Sequence, residues 1–454
     1  MPDLPASGRS HLRARRWDVL VLGGALPGLV TAARLCLAGH RVLVIEEEAA
    51  ARTFEPLREP FLLTGAVGPG LLAGVLRDLG VPLIELRRLE QSPLAFQVVT
   101  PEARIDVGSP TRTAEELVAW GLAKPDTAQP LLRALVRAAA AEHDAMLTAP
   151  VVRAGGFRRL GRSAAAPPSR HARGMPAEAA SAPLELVPFF DAQVRALSNL
   201  AEADPGPEAR ARLLGAALEG GATFPSTETT LRGLLRARIR ALHGEFKSLP
   251  GGFELVSADA EPGVAPARST DLWLGRALVI NVPRGLLARA LREAEAPVPE
   301  LVDVAEPGVR RARVHLRTRR SVIPEGMARR IIRADGKRVI TISAYPASPN
   351  SDVVEVVASA VGASGDEIER AVLELMPFCE GRLVRHPTPE PRWDDDDALE
   401  DPSHNAAWPG EVEIRLASRP RVYQLPRAGL AGLGVEGDVL LGWRSAERIA
   451  ADLG

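Results

Sequence analysis

Lysine is almost absent from this sequence: Lys124, Lys247 and Lys337 are the only three in a chain of 454 residues. Arginine carries nearly all the positive charge. With the abundant alanine and proline, this looks more like a coding bias than a surface built for phosphate. The formal net charge of −1 gives no electrostatic reason to expect nucleic acid as a partner. Cysteine is limited to Cys36 and Cys379, too few for a disulfide framework and suited to a reducing, cytoplasmic setting. No apolar run approaches the roughly twenty residues that span a bilayer. A G-x-S-x-G elbow, a P-loop and a cysteine placed with a histidine are all missing. His40, His243 and His386 have no partners at ligand spacing, so they read as surface or packing residues, and no metal site is expected. What remains is a globular composition, 46% hydrophobic, long enough for two or three domains.

The most informative stretch is "VLVLGGALPGLVTAARL", which begins at Val19. Asp18 to Leu22 reads as a buried parallel strand and Leu29 to Ala38 as the helix packed on it. "GHRVLVIEEE" (Gly39 to Glu48) then gives a second buried strand ending in acid. This is a βαβ unit with a glycine turn of the dinucleotide-binding kind. In such a turn the first glycine allows the tight bend, the second lets the backbone approach a pyrophosphate, and the third lets helix and strand pack closely. Gly23 and Gly28 hold the first and third places, Gly24 follows the first, and Ala25 stands where the second belongs. The extra methyl costs about 1–3 kcal/mol if nothing relaxes. Glu46, 23 residues beyond Gly23, is placed to meet a ribose hydroxyl. A basic-then-apolar N-terminus also fits a signal peptide, but Arg34 interrupts the apolar run and the βαβ pattern continues through it.

Further segments resemble the FAD-dependent amine oxidase and phytoene desaturase superfamily, in order more than in exact motif. "AAAR" (Ala49 to Arg52) stands at the family's G-G-R turn, keeping Arg52 but with Ala50 and Ala51 for the glycines. "PFLLTGAVGPGLLAGVLRDLGV" keeps Phe61 and Gly65 of the extended segment that follows, without its aspartate. "TFPSTETTLRGLLRARIRALHGE" keeps Pro225 and Leu231 of a P-x-G-G-x-x-x-L turn, with Ser226 to Thr229 in place of the glycines. "RALVINVPRGLLARAL" matches the strand returning to the nucleotide domain, with Asn281 and Pro283 at its end. "GVEGDVLLGWRSAERIAADLG" is read as the family's apolar strand followed by Gly442. Trp443 then replaces the aspartate that accepts from the flavin, the intervening loop is deleted, and a helix starts at Ser445.

The resemblance implies an α/β fold: a Rossmann-like FAD/NAD(P)-binding domain (15–100, 218–295 and 410–454) with a discontinuous mixed α+β substrate domain (101–217 and 296–409). It implies FAD held by Gly23, Gly24, Ala25, Gly28, Glu46, Arg52, Gly442 and Trp443, and an oxidoreductase taking a hydride from an apolar or amine-bearing small molecule. Lys337 matches the half of the chain where some amine oxidases keep a lysine near the flavin, but it adjoins a hairpin turn where exposure is expected. The alternative is a non-catalytic scaffold with weakened or lost flavin binding, acting through a ligand or a protein partner such as an intact flavoprotein. A Rossmann unit binding NAD alone is disfavoured, because nothing after Glu46 resembles a nicotinamide domain.

Elsewhere, Pro125 to Leu147 is an amphipathic helix. Gly155 to Pro183, rich in Ala, Pro, Ser and Arg, reads as a mobile loop without the apolar face that peripheral membrane contact needs. Val309 to Tyr345 turns to β, with a hairpin at Asp335-Gly336. "PTPEPRWDDDDALEDP" reads as a solvated acidic connector.

Overall fold

The computed structural model describes residues 13–66, 70–153, 173–202, 204–300, 309–336, 338–401 and 408–454. Its first layer grows from the apolar run at the start of the chain. Strand β1 (Arg13–Leu22), helix α1 (Leu26–Leu37) and strand β2 (Val42–Glu47) form the expected unit. Val19 to Leu22 and Val42 to Ile45 are fully buried, as a central parallel strand covered on both faces requires. Parallel neighbours extend the sheet on both sides, Glu245–Leu249 beside β2 and Asp271–Ile280 then Arg421–Gln424 beyond β1. Arg415–Ser418 closes that edge antiparallel, and the hairpin Phe253–Ala258/Glu261–Pro266 attaches to Asp271–Ile280. This is the Rossmann-like α/β layer.

The second layer is a seven-stranded, mostly antiparallel sheet. Its order is Val384–His386, Arg311–Arg319, Val353–Val361, Arg338–Pro346, Arg330–Asp335, Leu94–Val99 and Arg104–Gly108. The predicted hairpin turns at Asp335-Gly336, where Gly336 has φ +57°. Strand alternation decides what this sheet does. Val314, Leu316, Ile340, Ile342 and Val356 point to one side and pack with Ile368 and Val372 of the helix Gly365–Leu375. Arg313, Thr341, Ser343, Tyr345 and Ser359 point to the other and face a cavity. Leu94–Val99, assigned from sequence to the Rossmann-like portion, pairs with Arg330–Asp335 in this second sheet instead. Its alternation is compatible with either layer until the partner is known.

The Pro125–Thr148 helix matches its expectation and packs against Pro207–Leu218. Of the loop expected over Gly155 to Pro183, 155–172 lie outside the described residues. Arg173 is anchored by two-pronged contact with the buried Glu142, and Ala177–Ala180 forms a helical turn.

The C-terminus departs from the sequence reading. Gly434–Leu453 is one continuous helix, not a strand, a turn at Gly442 and a helix from Ser445. Val435, Val439, Ala446, Ile449 and Leu453 are buried at helical spacing. A three-residue apolar run, Val439 to Leu441, is too short to show which period governs it. The strand that joins the sheet is the earlier Arg421–Gln424. The 3-10 turn Arg427–Leu433 connects that strand to the last helix.

Candidate functional site

Gly23 leaves β1 with φ +102°, and a Cβ there would lie 2.7 Å from the Asn281 carbonyl oxygen, so the first glycine of the turn is required. Asn281 fixes the turn from the neighbouring strand: its amide Nδ2 donates to Gly23 O at 3.1 Å and to Ala25 O at 3.0 Å. That amide lies where a side chain at Gly28 would project, so Gly28 is held open for Asn281 rather than for a strand. Ala25 is the N-cap of α1 and its side chain lines the cavity.

Both backbone polar groups of Gly24 on this turn are already engaged. Gly24 N–H donates to Asp394 Oδ1 at 2.9 Å, and Gly24 O accepts from the Arg232 guanidinium. Asp394 begins the run of four aspartates. Far from solvated, it is fully buried and Asp395 is 6% exposed, which corrects the expectation of an exposed connector. Glu47, at the end of β2, is the cause. Its carboxylate accepts backbone N–H groups of Arg392 (2.9 Å), Trp393 (2.9 Å) and Asp394 (3.1 Å), drawing the loop across the carboxyl edge of the sheet. Trp393 is itself buried edge-on against Phe253, with ring centroids 5.1 Å apart.

Arginines neutralise the loop. Arg58 bonds Asp396 at 2.7 Å and Asp394 at 3.3 Å, and Arg232 lies 3.2 Å from Asp396. Arg310 pairs with Asp395, and Arg313 with Asp397. Burial pushes the Asp394 carboxyl up to about 6, with Arg58 pulling against it and Glu46 adding to it. Burial also acts on Asp396, but Arg232, Arg58 and Arg313 overcome it and hold that carboxyl well below the ordinary range. Asp397 is raised by burial to about 6.

The other expected residues divide. Glu46 is buried at the end of β2, as predicted, but Oε1 is paired with Arg236 from the helix Leu231–Ala241, and the carboxylate lies against Gly24. Its Oε2 has no hydrogen-bond partner. Arg52 does not reach the turn: it closes the short helix Glu48–Arg52, exposed and paired with Glu48. Arg58, six residues on, takes the inward position.

Gly442 and Trp443 lie well inside the last helix and do not line the cavity between the sheets. Gly442 permits close crossing over α1, where its Cβ would come 2.8 Å from Val30 Cβ. Trp443 packs under Arg34, whose guanidinium carbon is 3.4 Å from the ring centroid. The helix N-terminus expected at Ser445 is at Gly434, with Glu436 in its first turn making two 2.7 Å bonds to buried Arg212; in the next turn Asp438 pairs with Arg427 at 2.9 Å and accepts from Asn199 at 3.1 Å.

Between the layers lies a cavity of about 1300 Å³ of empty space, its open mouth included. One wall carries Ala25, Arg58 and Arg232, the other the polar face of the second sheet, with Phe61, Phe224 and Leu57 between. Among the described residues, no three His, Cys, Asp or Glu side chains are grouped to hold a metal ion, and no helix is long and apolar enough to cross a membrane. His40 is partly exposed and His243 exposed. His386 stacks on His315, which the sequence did not single out and which bonds Glu355 at 2.7 Å. Lys337 lies outside the described residues.

These residues do not fit a bound FAD. The Gly24 N–H is taken by Asp394, the Glu436 carboxylate occupies the first turn of the last helix, and one oxygen of Glu46 is engaged by Arg236. A dinucleotide brought onto this turn would meet carboxylates where it needs donors.

No family model and no curated protein matches the chain. Solved structures do. A putrescine oxidase variant redesigned at its cofactor site aligns with TM-score 0.51 and 12% identity, over 96% of this chain and 99% of that one. An oxidoreductase from Methanosarcina mazei aligns with TM-score 0.50 and 14% identity, over 95% and 99%. At such identities the likeness is one of fold alone.

Proposed function

We propose that this chain is a flavin-free protein of the amine oxidase-like fold that binds a small molecule in the cavity between its two sheets. The observation that carries this reading is the Asp394 carboxylate on Gly24 N–H, held there by Glu47. A pyrophosphate and a carboxylate compete for the same donor, and the carboxylate is already positioned by the chain at no cost in association entropy. The cavity does not depend on a flavin for its walls, and its mixture of hydroxyl, guanidinium and aromatic groups suits a polar-headed small molecule.

The test is the visible absorption spectrum of the purified protein before and after incubation with excess FAD and desalting. A protein without bands near 450 nm in both states is the expected result. The Ala25→Gly variant, which restores the missing glycine, is expected to stay colourless too, because Asp394 rather than the methyl group holds the turn. The second reading, a flavin-dependent oxidoreductase acting on an apolar or amine-bearing molecule, is favoured by one observation: buried Glu46 Oε2 has no partner, as a carboxylate awaiting a ribose hydroxyl would. Flavin bands that survive desalting establish that reading and overturn the first.

A further inference from the structure

Buried arginines in this protein come with carboxylates. Arg58 has Asp394 and Asp396, Arg212 has Glu436, and Arg232 has Asp396. Among the described residues, two arginines of the cavity wall lack such a pair: Arg311, whose guanidinium donates to Ser198 O, and Arg330. Arg330 is 4% exposed, lines the cavity, and among the described residues has no carboxylate within ion-pair distance. Its Nη2 donates to Ala222 O at 3.1 Å, while its buried Nε has no hydrogen-bond partner at all. Its guanidinium carbon lies 5.6 Å from the Tyr345 ring centroid. The guanidinium is therefore fixed in orientation while one buried donor, Nε, goes without a partner. A desolvated charge with an unmet donor is costly to maintain, and in a cavity wall the partner that repays it is an anion from outside.

We infer that Arg330 is the head-group site for a small organic carboxylate, whose apolar body lies between Phe224 and Tyr345. A planar carboxylate matches the two-pronged edge of a guanidinium, which a neutral carbonyl does not. Ser343, directly across the strand pair from Arg330, lines the same cavity and supplies a hydroxyl beside the charge. The inference names the ligand class for the binding cavity proposed above and rests on that reading.

The test is calorimetric titration of the full chain with 4-phenylbutyrate and with its neutral amide. The carboxylate should bind roughly ten-fold or more tightly than the amide, the difference a charge-assisted bond to a buried guanidinium provides. Arg330→Gln should abolish that preference, and Arg330→Lys should restore part of it. Equal binding of acid and amide, binding of neither, or a preference that survives Arg330→Gln overturns the inference. The comparison of two ligands on the unaltered protein stands even if a variant fails to fold. Absorbance at 450 nm on the same samples separates the two proposals. A flavin-loaded protein that still discriminates keeps the Arg330 site and refutes the flavin-free reading; a colourless one that does not discriminate does the reverse.

Discussion

Replacing Glu47 by alanine should release the acidic loop from the nucleotide-type turn without unfolding the protein. Glu47 is 8% exposed and holds three backbone donors, those of Arg392, Trp393 and Asp394. A hydrogen bond to a charged group contributes about 1.5–3 kcal/mol. The three share two oxygens, and water can enter the vacated space, so they do not add fully. The net cost to local order is about 3–5 kcal/mol. Since about 1.4 kcal/mol is a factor of ten in an equilibrium constant, loop opening should become more frequent by roughly 10² to a few times 10³. Hydrogen exchange followed by mass spectrometry reads this directly, in a peptide spanning 388–398. Exchange there should accelerate by that factor in Glu47→Ala, with the strand Val353–Val361 unchanged. A change of less than about ten-fold refutes the clamp. An equal acceleration in both peptides would show that Glu47 supports the whole fold and not this loop.

Gly442→Ala forces a methyl group into the contact of the last helix with Pro27 and Val30 on α1, and should destabilise by about 1–3 kcal/mol in a denaturant titration. A variant as stable as the parent would mean that the helices separate without penalty. Glu59 accepts the backbone N–H groups of Leu231 and Arg232, yet burial raises its carboxyl from 4.5 to about 7. The folded state thus holds this proton more tightly than the unfolded state, so the group's contribution is complete below about pH 4.5 and is lost as pH rises through 7. Glu59→Gln, neutral throughout, should therefore unfold at a temperature that gains on the parent as pH rises from 5 to 8; a difference constant with pH refutes the assignment.

The βαβ unit was legible because its signal is redundant: two fully apolar strands, a glycine that only a positive φ explains, and an acid at the end of the second strand all agree. The predicted hairpin at Asp335-Gly336 and the helix from Pro125 were legible for the same reason. The last helix was not, because Val439 to Leu441 carries no period of its own and the glycines around it suggested turns. The acidic loop was misread because runs of aspartate are usually solvated. What buries this one is Glu47, together with arginines scattered from Arg58 to Arg313. In a chain whose cations are nearly all arginine, no single arginine announces itself. Arg330 was missed on the same ground, its distinction being a buried donor without a partner, which only the packed structure exhibits.

The four aspartates also have a mechanical consequence. Asp394 and Asp396 are held by Arg58 and Arg232, on the side of the parallel sheet, while Asp397 is held by Arg313, a residue of the antiparallel sheet. One short segment is thus riveted to both layers by buried charge, and prying the layers apart would strand those charges without counterions. The two halves should move as one body, and a ligand must enter by the existing mouth rather than by a hinge.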